Sequence, residues 1–228
     1  MNEVFKPGFT ALIISSTKYK MFNFMLSILL LLILSAVLEG TGYRYLAINS
    51  ISSIVFILGA YAVGAGNRKT LLVLIVLGLP WFLSEWTFTK SSRTIFSSLL
   101  FFLFVTITIL DHILKSDEVT TDTLYGAVCV YLVLGILWAC IYGLLEYVSP
   151  GAVFKGYSGD IDNKMSTNEL LYYSYTTLAT LGYGDITSIT HVGRITSVLE
   201  AIIGQLYITF LVARLVSIYT ANAIRKRN

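Results

Sequence analysis

The sequence predicts an all-α membrane protein with six transmembrane helices and, between the fifth and sixth, a short re-entrant helix followed by a loop. Three observations carry this. Hydrophobic residues make up 56% of the 228 and charged residues only 13%, against roughly 25% charged in soluble domains; mean hydropathy is +0.75. Six apolar stretches approach the roughly 20 residues that a helix needs to cross hydrocarbon. Between the last two lies a helical pattern that is too short to cross and is opened by a capping signal. The net charge of +3 is dispersed over loops, which leaves no basic face for nucleic acid.

The elements follow in order. Residues 1–20 hold Lys6, Lys18 and Lys20 around a patch from Phe9 to Ile14; the patch is too brief to span and is expected along the cytoplasmic surface. Met21 to Leu38 is the first span. Tyr45 to Ala65 and Thr70 to Phe88 are the second and third, joined by Gly66-Asn67-Arg68-Lys69. Both carry polar groups, Asn49, Ser50, Ser52 and Ser53 in one, Pro80 and Glu85 in the other, which are expected to face helix neighbours because lipid cannot satisfy them. The fourth span, Thr94 to Leu114, has Arg93 at one end and Asp111-His112 at the other. A voltage sensor needs several arginines along this helix, so residues 21–115 form a four-helix region without one.

Residues 116–221 form a second region, with the fifth span, the short helix, its loop and the sixth span, and 222–228 a basic cytoplasmic tail with Arg225-Lys226-Arg227. A polar linker, Lys115 to Thr123, leads to the fifth span, Leu124 to Glu146, which contains both cysteines. Cys129 and Cys140 are expected as small buried hydrophobes rather than a disulfide or metal pair. Pro150-Gly151 through Gly159-Asp160 reads as an exposed turret. Ser166 and Glu169 fit a capping box that starts a helix running to about Ala179, about 20 Å long. The chain must therefore turn back inside the membrane. The loop Ile186 to Gly193 returns to the surface, and Arg194 to Tyr219 is the sixth span. With the loop's mouth outside, both termini are cytoplasmic, and ten of the 16 Lys and Arg fall inside, in the sense of the positive-inside rule.

The segment after the short helix, Thr180-Leu181-Gly182-Tyr183-Gly184-Asp185, has a specific backbone logic. Replacing a cation's water shell takes rings of carbonyl oxygens aimed at one axis. Aiming successive carbonyls the same way needs alternation with left-handed residues, which Gly182 and Gly184 accommodate without a Cβ clash. Leu181 and Tyr183 then point outward to wedge the strand, and the Thr180 hydroxyl adds an oxygen at the inner end. The negative end of the short helix would favour a cation below.

This segment is similar to the pore signature of tetrameric potassium channels, with their TVGYG loops, and the resemblance covers about residues 122–220. It implies a selectivity filter of Thr180, Leu181, Gly182, Tyr183 and Gly184, K+ bound at Thr180, Leu181, Gly182 and Tyr183, an outer mouth at Asp185, and pore-helix support from Tyr172, Tyr173, Thr176 and Thr177. Gly204 stands where relatives place a hinge glycine, a role it shares with close helix packing. Gln205, Ile208, Val212 and Val216 are candidate pore lining, although a lipid-facing stripe has the same spacing. Leu181 stands where the family usually has Val, Ala179 replaces a common Thr, and Tyr172-Tyr173 replace a tryptophan pair. Glu200 lies in the outer half of the sixth span, where an acid is a functional candidate by default, yet a bond to a pore-helix hydroxyl would suffice; Arg214 is expected to snorkel to headgroups.

The resemblance implies passive K+ conduction across the plasma membrane by a homotetramer, since one filter loop per chain cannot close a ring. The alternatives are a weakly selective monovalent cation channel, given Leu181 and Ala179, and a membrane receptor or enzyme, for which no nucleophile elbow, phosphate loop or metal cluster stands in the sequence. No cofactor is expected beyond the permeant K+, and membrane lipids are the surrounding partners. The gating stimulus stays open among lipid, tension, pH, a separate regulatory subunit, or none, with weak voltage dependence expected.

Overall fold

The computed structural model describes residues 19–38, 43–64, 67–87, 92–116, 120–149, 154–155 and 165–225. Lys6, Lys18, the Phe9 to Ile14 patch, Gly66, Lys90, Asp117, Glu118, most of the turret with Lys164, and Lys226-Arg227 lie outside them, as do the side chains of Glu85, Arg93 and Lys155. Seven helices run in order among the described residues: α1 Lys20–Val37, α2 Arg44–Gly64, α3 Arg68–Thr87, α4 Ser92–Lys115, α5 Thr121–Val148, α6 Thr167–Leu178 and α7 His191–Arg225. Four stretches are long and apolar enough to cross a membrane: Lys20–Val37, Ile95–Lys115, Thr121–Val148 and His191–Ile218. Among the described residues, α2 contains an apolar stretch of Asn49–Gly64, and α3 carries Pro80 inside it. The chain is a helical, membrane-integral protein.

Helices α1 to α4 pack in sequence, α1 on α2, α2 on α3 and α3 on α4, and the ring closes through α5, which lies against both α1 and α4. Lipid is as apolar as Leu, so side-chain packing and polar contacts hold such helices together rather than water exclusion. Between α2, α3 and α4 the packing is aromatic: Trp81 sits 5.6 Å from Phe101 and 5.2 Å from Phe102, and Phe56 5.4 Å from Phe101. The serines do two things. Asn49 and Ser52 are buried, as their polarity requires, whereas Ser50 stays exposed and returns its hydroxyl to Leu46 O at 2.7 Å. Helix α1 is tied to α5 by Met21, whose amide meets Asp122 Oδ1 at 3.3 Å and whose carbonyl accepts from Cys129 Sγ at 3.3 Å. Both cysteines are free thiols.

Two features depart from expectation. The turret is not wholly irregular: Phe154–Lys155 pairs antiparallel with Thr187–Ser188, Phe154 opposite Ser188. Phe154 is buried, and it sits edge-on to Tyr142 at 5.4 Å and Tyr173 at 5.0 Å. Helix α7 begins at His191 rather than Arg194 and runs on past Tyr219. Its early start follows from Thr190, whose hydroxyl accepts from Gly193 N at 3.1 Å, a cap three residues ahead of its donor.

Candidate functional site: a short helix ending in a left-handed loop

The site is built on α6. Ser166 caps it, accepting from Glu169 N at 3.2 Å, while Glu169 accepts from Ser166 N at 2.7 Å, the two halves of the expected capping box. Twelve residues make α6 about 18 Å long. It lies between α5 and α7, and its C-terminal end is closed by the loop that follows. Thr177 O accepts from Thr180 N at 2.9 Å, and Thr176 O accepts from both Leu181 N at 2.8 Å and Gly182 N at 3.2 Å. Thr176 and Thr177 thus hold the loop through their carbonyls, and the Thr176 hydroxyl turns back to Tyr173 O at 3.0 Å.

The loop alternates in hand. Gly182 has φ +54° and Gly184 φ +81°, as the carbonyl argument requires, and Thr180 joins them at φ +56°. Every second residue from 180 to 184 is left-handed. Thr180 is the member the sequence did not mark, because a β-branched residue rarely adopts this region. Leu181 and Tyr183 are 55% and 68% exposed, and of α6 it is Tyr172 that Tyr183 meets. The two rings stack at 6.5 Å, 8° from parallel, and the Tyr172 hydroxyl donates to Asp185 Oδ2 at 2.7 Å. That hydrogen bond, helped by the Ile186 amide, holds the Asp185 carboxyl below the ordinary carboxylate range. A carboxylate is thereby fixed, charged, beside the loop's outer end.

Tyr173 points to the other side of α6, where its hydroxyl meets Ser197 Oγ at 2.6 Å and Ser188 Oγ at 2.9 Å. Deeper in, Glu200 is fully buried. Ser174 Oγ lies 2.6 Å from Glu200 Oε1, and the Tyr142 hydroxyl donates to Glu200 Oε2. Ser174 is thus the α6 hydroxyl that meets Glu200. Tyr142 and Ser197 were not legible in the sequence, for nothing in a lone tyrosine of an apolar span tells which acid it will meet.

Helix α7 turns one face to α6 and α5 and the other away. On the packed face Gly204 abuts α6: a Cβ there would stand 2.5 Å from Leu178 O, which gives this glycine a packing reason. Tyr207 donates to Ala127 O at 2.7 Å and stacks on Tyr131. The Arg214 guanidinium caps the C-terminal end of α4, donating to Ile113 O at 3.2 Å, Leu114 O, and Ser116 O at 3.1 Å. A helix's last carbonyls lack partners of their own, so they compete well for a cation that lies this close. On the outward face Gln205, Ile208, Val212 and Val216 are all exposed, and Gln205 Nε2 donates to Thr180 Oγ1 at 3.4 Å.

A capped twelve-residue helix, a loop of alternating hand and two long apolar helices thus stand together. Over residues 126–221, from within α5 to near the end of α7, the chain matches a family model described as ion channel. That match supports an ion channel of the pore-loop type and points to a channel, not an enzyme. Among curated proteins and solved structures nothing matches.

Proposed function

We propose that this chain is one subunit of a homotetrameric potassium channel, in which Thr180, Leu181, Gly182 and Tyr183 present carbonyls to K+ and Asp185 rings the outer mouth. The observation that carries the reading is the left-handed alternation at Thr180, Gly182 and Gly184, which turns successive carbonyls toward one side, set at the exposed end of a helix too short to cross the bilayer. Two further observations favour assembly. The whole segment from Leu181 to Asp185 is exposed on the single chain, and only 6% of the apolar window of α7 is buried, where a finished membrane protein packs its innermost helix. Four copies around one axis cover both. Gln205, Ile208, Val212 and Val216 then line the water below the filter, α2 and α3 complete a six-span subunit, and both termini lie in the cytoplasm of a cell whose plasma membrane holds the channel.

Potassium flux into liposomes holding the purified protein, repeated with sodium, tests this. Wild type should pass K+ in preference to Na+, and the detergent-solubilised particle should have a protein mass of about 100 kDa, four times 25.3 kDa. Gly182→Ala should abolish flux. A Cβ at Gly182 meets no atom within 4 Å, so the cost is the left-handed backbone alone, roughly 1 to 2 kcal/mol in each of four copies. Normal K+ flux through Gly182→Ala would overturn the assignment; equal passage of K+ and Na+ in wild type would replace it with a weakly selective cation channel, as Leu181 and Ala179 allow.

A further inference from the structure

Behind the loop, three helices meet at Ser174, and the hydroxyl there faces two oxygens: Gly135 O of α5 at 2.7 Å and Glu200 Oε1 of α7 at 2.6 Å. A serine has one proton to give. A carbonyl only accepts, and an ionised carboxylate only accepts. If Glu200 were ionised, one of these two oxygen pairs would face each other at hydrogen-bond distance with no proton between them. Both contacts are satisfied when Glu200 carries the proton: Oε1–H donates to Ser174 Oγ, Ser174 donates to Gly135 O, and Tyr142 donates to Oε2, which is then the carbonyl oxygen of the acid. The neighbouring protons are already committed, Ser197 giving its own to Gly193 O at 2.9 Å and Tyr173 meeting Ser197 and Ser188. The titratable groups on this side are phenols, Tyr142 and Tyr131 of α5 and Tyr173 of α6. Glu200 has no cationic partner among the described residues, and its side chain is without solvent exposure, the setting in which a lone carboxylate is most costly.

We propose that Glu200 is held as a neutral carboxylic acid and is a positioning residue for the filter, locking α7 to α6 through Ser174. The inference rests on the pore assignment above. Geometry supplies the lever. Glu200 stands four residues before Gly204 on α7, and Ser174 four residues before Leu178 on α6, so the Ser174–Glu200 bond and the Leu178–Gly204 contact are two rungs one turn apart. The second rung lies two residues ahead of Thr180. A side chain that can both donate and accept fixes the register of the two helices, and with it the height of the loop on α6.

The test uses the full chain in liposomes, read by infrared spectroscopy and by flux. Wild type should show the carbonyl-stretch band of a protonated carboxyl at neutral pH, and Glu200→Gln should remove it. Tyr142→Phe should move that band to higher frequency, because the acid's carbonyl loses its donor. Glu200→Gln, whose amide donates and accepts at the same positions, should keep K+ preference over Na+, whereas Glu200→Ala should lower it by about tenfold, the size of one lost buried hydrogen bond. The proposal is overturned if Glu200→Gln removes only bands of ionised carboxylate, or if it loses selectivity as fully as Glu200→Ala. Should Glu200→Ala fail to fold, the band and the Glu200→Gln flux decide alone. A wild type that shows the band but passes no K+ would defeat the pore assignment and leave the neutral acid standing.

Discussion

Gly204→Ala separates two roles for one residue, and the structure gives its size. The added Cβ would lie 2.5 Å from Leu178 O and 2.9 Å from Leu178 Cδ1, against ordinary contact at 3.4–4 Å. The close neighbour is a backbone carbonyl in the last turn of α6, so no rotamer change relieves it; α7 must retreat by about 1 Å. Overpacking of this kind costs roughly 1 to 3 kcal/mol, or about 4 to 12 kcal/mol over four subunits, comparable with a domain's whole net stability of about 5 to 15. The same retreat would break the 3.4 Å bond from Gln205 to Thr180. We therefore expect a lower thermal midpoint in detergent together with a loss of K+ preference in liposome flux. Gly126→Ala is the control: its Cβ would meet Ile109 Cγ2 at 3.6 Å, ordinary contact, and both measurements should stay at wild type. If Gly204→Ala matches wild type in midpoint and selectivity, the packing argument fails; a change in opening alone would mark Gly204 as the hinge that the family resemblance implies.

Asp185 gives a pH prediction. Its carboxyl is held low first by the Tyr172 hydroxyl, so this contact is fully present above the ordinary carboxylate pKa and is lost as pH falls through the lowered one. Tyr172→Phe should shift the acid-side loss of K+ flux to higher pH, and an unmoved midpoint would detach Asp185 from conduction. Arg214→Gln removes a charged donor from the three carbonyls at the end of α4, at a cost of roughly 1.5 to 3 kcal/mol; its thermal midpoint should fall, and Arg214→Lys should recover part of the loss. Opening should depend weakly on voltage, since one charge crossing the field contributes about 2.3 kcal/mol per 100 mV and steep gating takes three or four per subunit; a steep conductance–voltage curve in a plain bilayer, free of blocking ions, would show that a sensor lies elsewhere than α4.

Helix α6 and its loop were legible because each rests on local rules: Ser166 and Glu169 cap over three residues, and glycine at 182 and 184 marks backbone hand. Four spans were legible from apolar length and stand among the described residues. Long-range polar contacts were not legible. The contact of Arg214 with the last carbonyls of α4 becomes visible only once α4 is known to end beside it. Ser174 is one hydroxyl among several on α6 until the helix phase turns it to Glu200. Phe154 is invisible as an anchor because its strand is two residues long, below any periodic signal. Such contacts depend on which helices become neighbours, and apolar sequences of similar composition do not encode that choice locally.

The alternation of hand from Thr180 to Gly184 makes this segment an odd polymer, with mirror-related residues interleaved along one strand. Helices and sheets of one hand satisfy their own carbonyls by repetition; a strand of alternating hand instead aligns its dipoles side by side, where they repel. Its first amides are spent on Thr177 and Thr176, so relief must come from outside the chain. On the pore assignment that outside agent is the permeating cation, which is then cargo and scaffold at once. Emptying the strand of K+ should cost it shape as well as current, and the concentration of the transported ion becomes a term in the stability of the protein that carries it.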